Sequence, residues 1–477
     1  MRGVILEVLN NSLPSVLNLT FPFELTKDQL AAVDAWVFNA YRGSIIYSTG
    51  TGKTEIAFEC AKRRASENLN HNNAQNNLVD GTVHTSNNAV PSILFLVPRI
   101  ILIEQNFKRL LYYHIPKESI GVYFGERKEV REITVSTYQS IVNNLELIRN
   151  SDTIVFDEMH LLTDSAMTLK KMFDALREEE SNSTRKKALL GLTATIDEEH
   201  PNYNTIVSLL PPVKKYMIRD AVQDGRLAKP IVIPIKAKLT FEEKILYNSY
   251  SNKIRKISNE LNVSNPGSMT MILKKGGISA KWARSWFENV RNRKNLINSA
   301  QNKISATVEL IAKKHSLERI MVFSETIKSI KKLKEVLERE KGIKSMIIES
   351  KLKSKERQEI LSKWGTDFYP LLSVHTLEIG YDVPQVRIAI ILASTSNMNQ
   401  AAQRIGRTLR KAEGKNSALI YTVYLSDTHD YTHLSLIRQA TQMDGKKSGN
   451  SNISNAKNND NAITTPTTNA NLDAFMS

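Results

Sequence analysis

The chain has 477 residues, 41% of them apolar and 24% charged, with a single cysteine (Cys60) and a formal net charge of +16. That length holds two or three domains with full cores, while one cysteine excludes an internal disulfide framework and leaves a Cys/His zinc site unsupported. Glu7 interrupts the early apolar run, no run approaches the ~18 residues of a bilayer span, and the excess positive charge predicts a soluble intracellular protein that meets a polyanion, nucleic acid before a membrane surface.

Residues 22–29 end in Gln29, which opens a helical pattern through Leu30, Val33, Trp36 and Val37. Its amide is donor and acceptor at once, so beside a phosphate site it can pair both edges of adenine, with Phe21 or Phe23 stacked on the base. The alternative is a helix start with a surface glutamine. The apolar run 44–47 leads into Ser48-Thr49-Gly50-Thr51-Gly52-Lys53-Thr54 and a second helical pattern from Glu55. Strand, Gly-containing loop, Lys-Thr and helix form a phosphate cradle. Backbone N–H groups turn onto the anion, Lys53 reaches the β/γ-phosphates, Thr54 holds Mg²⁺, and the helix dipole faces the charge. Tyr47 stands where the strict pattern has glycine.

Residues 66–91 are Asn-rich without apolar period and predict a long mobile surface insertion. A buried strand over 91–97 then reaches Pro98-Arg99, and Ile103, Phe107, Leu110 and Leu111 follow at helical spacing. Residues 134–140 are another strand end passing into a helix. Arg99 and Thr137 are expected to face outward on the rim that carries the phosphate loop, either against a nucleic-acid backbone or as ordinary strand-end polarity. The apolar strand 153–156 delivers Asp157-Glu158, with His160 two residues on. In phosphoryl transfer the first acid can hold Mg²⁺ and the second can orient or deprotonate the attacking water. A further strand ends in Thr193-Ala194-Thr195.

These motifs resemble a superfamily 2 helicase of the DExH type, with Asp157-Glu158-Met159-His160 as the name-giving motif. The resemblance implies that ATP with Mg²⁺ is the ligand, that residues 21–29 are an adenine-reading Gln motif, and that His160, Thr193 and Thr195 couple the ATP site to nucleic acid. Residues 216–230 and the extended run after them resemble the inter-domain connection of the XPB-type subgroup. Domain 1 is therefore placed at 1–212 and a linker at 213–239.

Residues 240–315 read as helical and basic. Between Lys253 and Lys303, eleven Lys/Arg stand against Glu260 and Glu288, a net +9 within 51 residues. Trp282, Trp286 and Phe287 lie among them, and basic residues interleaved with aromatics suit a strand-tracking surface. Lys281, Trp282, Arg291, Arg293 and Lys294 are its candidates, although the tryptophan spacing fits core packing equally. The segment resembles the XPB-type thumb, hinged at Gly276-Gly277. A second α/β unit is expected over 316–443. Within it, 377–384 resemble the fifth helicase motif, with Gly380 and Asp382 at the nucleotide interface, and 403–410 resemble the sixth. Gln403, Arg407 and Arg410 recur at helical intervals and share one face. Guanidinium groups on that face would neutralise charge on the γ-phosphate in the transition state. Residues 444–477 predict a disordered tail.

The expected architecture is two RecA-like, doubly wound parallel-sheet α/β domains with a small helical insertion. Lys53, Thr54 and Asp157 would position Mg-ATP, Glu158 would activate water, and Gln403, Arg407 and Arg410 would complete the site. The expected activity is ATP-dependent helicase or translocase action, with DNA favoured over RNA and no membrane partner. The alternatives are a duplex-DNA translocase that separates no strands, an RNA helicase, and a non-catalytic scaffold with structural ATP. The short chain and its Asn-rich tail are compatible with a viral source.

Overall fold

A computed structural model describes residues 13–76, 92–163, 166–182, 186–196, 198, 202–349, 352–374, 385–392 and 405–441. The first sheet contains β1 (Arg42–Tyr47), β2 (Ile93–Val97), β3 (Ile120–Phe124), β4 (Arg127–Lys128), β5 (Ile133–Thr137), β6 (Thr153–Phe156), β7 (Ala188–Thr193) and β8 (Pro212–Tyr216). Their order is β4-β3-β5-β2-β6-β7-β1-β8. The second contains β9 (Lys229–Ala237), β10 (Ile320–Ser324), β11 (Met346–Ile348), β12 (Pro370–Val374), β13 (Ile388–Ile391) and β14 (Ser417–Leu425), in the order β11-β12-β10-β13-β14-β9. Pairing is parallel throughout apart from the β3–β4 hairpin. The interior strands are continuous apolar runs because helices cover both faces, as parallel sheets require. These are the two α/β domains expected.

Helices fix the first sheet's faces. In α1 (Lys27–Phe38), Thr26 and Gln29 form a capping box, and Trp36 is fully buried, with its indole N–H donating to Leu189 O at 2.9 Å. Helix α2 (Lys53–Asn76) leaves the phosphate loop and buries Ile56, Phe58, Ala61 and Ala65. It runs on through Asn76, well into the stretch expected to be irregular. Once nucleated and packed at its start, a helix extends through polar residues at little further cost. Residues 77–91 lie outside the described residues. Helix α3 (Ile100–Tyr112) turns Ile103 and Leu110 onto the sheet.

Two expected boundaries move. The stretch 213–239 is not a free linker: β8 pairs with β1, and β9 pairs with β14 along its whole length. As an edge strand, β9 tolerates Pro230 and Pro234. Only residues 217–228, with a short helix at Ile218–Gln223, cross between the sheets. The insertion consists of α4 (Phe241–Glu260), α5 (Pro266–Lys275) and α6 (Gly277–Asn298), around a core of Ile254, Ile257, Met269, Ala283 and Trp286. The next helix, α7 (Gln301–Lys314), lays Ile304, Val308 and Ile311 on the second sheet. The insertion therefore ends near residue 298 rather than 315. Gly276 and Gly277, at φ 77° and 78°, make the tight turn from α5 to α6. They are a corner within the insertion and not a hinge at its root. Residues 444–477 lie outside the described residues.

Candidate active site

The strand order sets β6, β7 and β1 side by side. Their C-terminal ends bring Asp157-Glu158, Thr193–Thr195 and the 48–54 loop to one rim. Gly50 and Gly52 have φ of 85° and 93°, which lets the loop wind around a central space. The Thr51 hydroxyl donates to Ser48 O at 2.6 Å. Two other buried loop hydroxyls, Ser48 Oγ and Thr49 Oγ1, have no hydrogen-bond partner among the described residues. Buried polar atoms are rarely left so, and an incoming anion would satisfy them. Lys53 Nζ donates to Tyr47 O at 3.1 Å and lies 3.9 Å from Glu158 Oε1. Thr54 is half-buried in the first turn of α2. The loop therefore fits a triphosphate.

Gln29 is buried and its amide is engaged within the protein. Its oxygen accepts from Thr26 N at 2.9 Å, and its nitrogen donates to Thr51 O at 3.1 Å. It braces the phosphate loop from the helix cap. A side chain at Gly52 would run into that same nitrogen.

Glu158 sits at φ 51°, a left-handed backbone that a non-glycine residue holds only under local constraint. Burial raises its carboxyl pKa, but Lys53, His160 and Arg407 outweigh it and the net direction is down. Asp157 moves the other way, raised first by burial and then by the neighbouring Glu158 charge. An acid held in that state is relieved by a cation, so Asp157 fits a metal ligand. His160 Nδ1 lies 3.0 Å from Thr193 Oγ1 and 3.4 Å from Glu158 Oε2. The Thr193 hydroxyl donates to Thr195 O at 2.6 Å, which leaves it to accept from His160. The three expected coupling residues thus form one buried chain of contacts ending at Glu158.

The raised Asp157 pKa makes a stability prediction. A carboxyl whose folded pKa lies above its unfolded value contributes fully below the unfolded pKa, and that contribution is lost as pH rises through the folded one. Without nucleotide or Mg²⁺, Asp157→Asn should melt higher than wild type at pH 8, by on the order of 1–3 kcal/mol, and match it at pH 3.5. Equal melting temperatures at pH 8 in calorimetry would overturn this.

From the second lobe, the helical turn at 405–408 reaches the phosphate loop. A Cβ on Gly406 would stand 2.9 Å from Thr49 Cβ, and one on Gly50 would stand 2.9 Å from Arg410 Nε. Arg410 thus lies on the loop, and Arg407, buried, acts on the Glu158 carboxylate. Gly380, Asp382 and Gln403 lie outside the described residues.

Sequence reasoning missed a further group. Arg226, in the crossing segment, donates to Asp28 Oδ2 at 2.7 Å, Thr26 Oγ1 at 3.1 Å, Tyr47 Oη at 3.2 Å and Thr51 O at 2.6 Å. Tyr47 is fully buried, stacks on Tyr216 at 4.5 Å and donates its hydroxyl to Asp28. That network is why an aromatic stands at the start of this loop. The only sequence sign of it was the departure at Tyr47.

The expected nucleic-acid residues divide. Arg99 and Thr137 line one cleft of about 610 Å³ at the ends of β2 and β5, joined by Phe124, Lys128, Gln139 and Asn143. Arg99 is exposed, but Thr137 is buried and its hydroxyl caps the helix Tyr138–Ile141 through Ser140 N at 3.1 Å. Its side chain does not face outward as expected, because the helix start uses it. Lys281 and Arg291 are exposed on α6 and Trp282 is 42% exposed. Trp286 is core, donating to Ser258 Oγ at 2.9 Å. Arg293 donates to Ser251 Oγ at 3.4 Å, and Lys294 pairs with Glu325 of the second lobe at 2.7 Å. Those two brace the insertion.

Residues 22–198 match the family described as type III restriction enzyme, res subunit, and residues 302–412 match the helicase conserved C-terminal domain. The chain is 25% identical over 427 residues to the DNA 3'-5' translocase XPB2 of Sulfurisphaera tokodaii, covering 86% of this chain and 85% of that one. It is 24% identical to the DNA 3'-5' helicase XPB of Mycobacterium tuberculosis, where the match covers 71% of this chain and 54% of the relative's length. A putative helicase of a Sulfolobus islandicus filamentous virus is 24% identical over 88% of this chain and 66% of its own. In fold, the Pyrococcus furiosus Hef helicase domain superposes with a TM-score of 0.51 at 17% identity, covering 87% of this chain and 99% of that one. With both lobes matched in order around one phosphate-binding rim, the chain belongs to the superfamily 2 helicases and stands close to their XPB subgroup.

Proposed function

We propose that this chain is an ATP-driven motor that moves along or unwinds DNA, with its ATP site shared between the two lobes. The observation that carries the reading is the position of Arg407 and Arg410. Arg410 lies on Gly50 of the phosphate loop, and Gly406, the residue before Arg407, packs against Thr49 of the same loop.

In this reading Lys53 and the loop N–H groups bind the β/γ-phosphates, and Thr54 and Asp157 hold Mg²⁺, which when bound draws charge off the phosphate oxygens. Glu158, held ionised, orients water and takes its proton. Arg407 and Arg410 offset the charge that spreads over the γ-phosphate oxygens. They come from the second lobe, so chemistry waits on lobe closure, and opening follows product release. The His160–Thr193–Thr195 contacts tie Glu158 to the adjacent strand end. The track is assigned to the cleft holding Arg99 and Lys128 and to the exposed Lys281 and Trp282 on α6. Basic side chains beside an exposed ring suit backbone tracking with base stacking. DNA is favoured because the XPB relatives are named for DNA.

The test is steady-state ATP hydrolysis with no polymer, single-stranded DNA, duplex DNA and RNA, with Lys53→Ala as the blank. Strong stimulation by DNA that is absent in the blank is expected. Stimulation by RNA alone, or by no polymer, would overturn the assignment. Triplex displacement without duplex unwinding would place the activity with translocases that separate no strands.

A further inference from the structure

Arg226 lies in the 216–230 connection, where nothing in the sequence marks out a role of its own, yet it makes four hydrogen bonds to the first lobe. Its Nη1 meets Asp28, Thr26 and Tyr47 and its Nη2 meets Thr51 O at 2.6 Å. The Thr51 carbonyl also accepts from Gln29 Nε2 at 3.1 Å. Two donors thus hold one peptide of the phosphate loop through its carbonyl oxygen. Gln29 is rooted in the first lobe. Arg226 is not: the next two residues of the crossing segment are bound to the second lobe. Leu227 forms an antiparallel bridge with Arg410, and Ala228 N donates to Leu409 O at 2.7 Å. The residue laid on Gly50 is therefore bridged, backbone to backbone, to Leu227, the immediate neighbour of the residue holding Thr51 O.

We infer that Arg226 is a positioning residue for ATP. It sets the phosphate loop in its receptive shape when the crossing segment is docked on the second lobe, so the loop senses lobe docking through Thr51 as well as through the arginines that reach it. The inference rests on the loop's being an ATP site, as proposed above.

The fork geometry makes it separable from an ordinary ion pair. A lysine at 226 keeps one cation for Asp28 but cannot also hold Thr51 O, because an ammonium lacks the planar two-pronged donor set. If Arg226 only braced the fold, Arg226→Lys would restore wild-type behaviour. If it positions the loop, Arg226→Lys and Arg226→Ala should both raise KM for ATP by about tenfold or more, while kcat at saturating ATP and DNA changes by less than about threefold. The experiment measures KM and kcat for wild type and both variants in the full chain, with melting temperatures alongside. Should Arg226→Ala fail to fold, Arg226→Lys decides. A Lys variant with wild-type KM, or a loss confined to melting temperature, overturns the inference and leaves the ATPase reading intact. A wild type that neither binds nor hydrolyses ATP overturns both.

Discussion

Glu158→Gln should bind Mg-ATP within a few-fold of wild type and turn it over about 10²–10⁴ times more slowly. Glutamine matches the shape of glutamate, so the loop and its cradle survive. What disappears is a negative charge that Lys53, 3.9 Å away, His160 and Arg407 together stabilise. That charge orients water and receives its proton. Because those three hold the carboxyl below its ordinary range, wild-type turnover should stay level from neutrality down towards the ordinary glutamate range before falling. Equilibrium nucleotide binding and single-turnover hydrolysis, run side by side, separate the two effects. A variant with near-normal turnover would remove Glu158 from the chemistry.

Arg407→Ala should lower kcat by about 10³–10⁵, the range observed when a transition-state arginine is withdrawn. The position makes a second demand that a bystander would not. Arg407 is one of the cations that depress the Glu158 pKa, so its removal should shift the acid limb of the kcat profile upward in pH. Arg407→Lys should leave that limb near its wild-type place while recovering only part of the rate, since a point charge replaces a planar fork. A loss under tenfold, or an acid limb that does not move, would assign the transition-state charge to Arg410 alone.

The parts legible in the sequence are those whose chemistry is local. The phosphate loop, the Asp157-Glu158 pair and the buried strands around them are short runs whose composition dictates their form. What escaped depends on partners far along the chain. Arg226 meets Asp28, Tyr47 and Thr51 at separations of 198, 179 and 175 residues, and no local pattern marks it. Strand β9 read as an extended run within a linker because the sequence shows no pairing partner, while its actual place is an edge paired to β14. Helix α7 shows an apolar face without showing which core it faces. Trp282 and Trp286 share a helical face by spacing, yet one is 42% exposed and the other 5%. Only the packing of α4 and α5 beside α6 distinguishes them. Thr137 and Gln29 were read by what their side chains can offer a ligand, whereas the fold already uses those groups.

The chain that passes between the lobes is stitched into both sheets, as β8 on one side and β9 on the other, with only residues 217–228 between. The arginines at 407 and 410 are thereby kept near the phosphate loop at an effective concentration that for short connections is on the order of millimolar or above. Reassembly of the shared site after product leaves is a first-order event within one molecule. The search that limits the cycle is then for nucleotide and track, never for the other half of the active site.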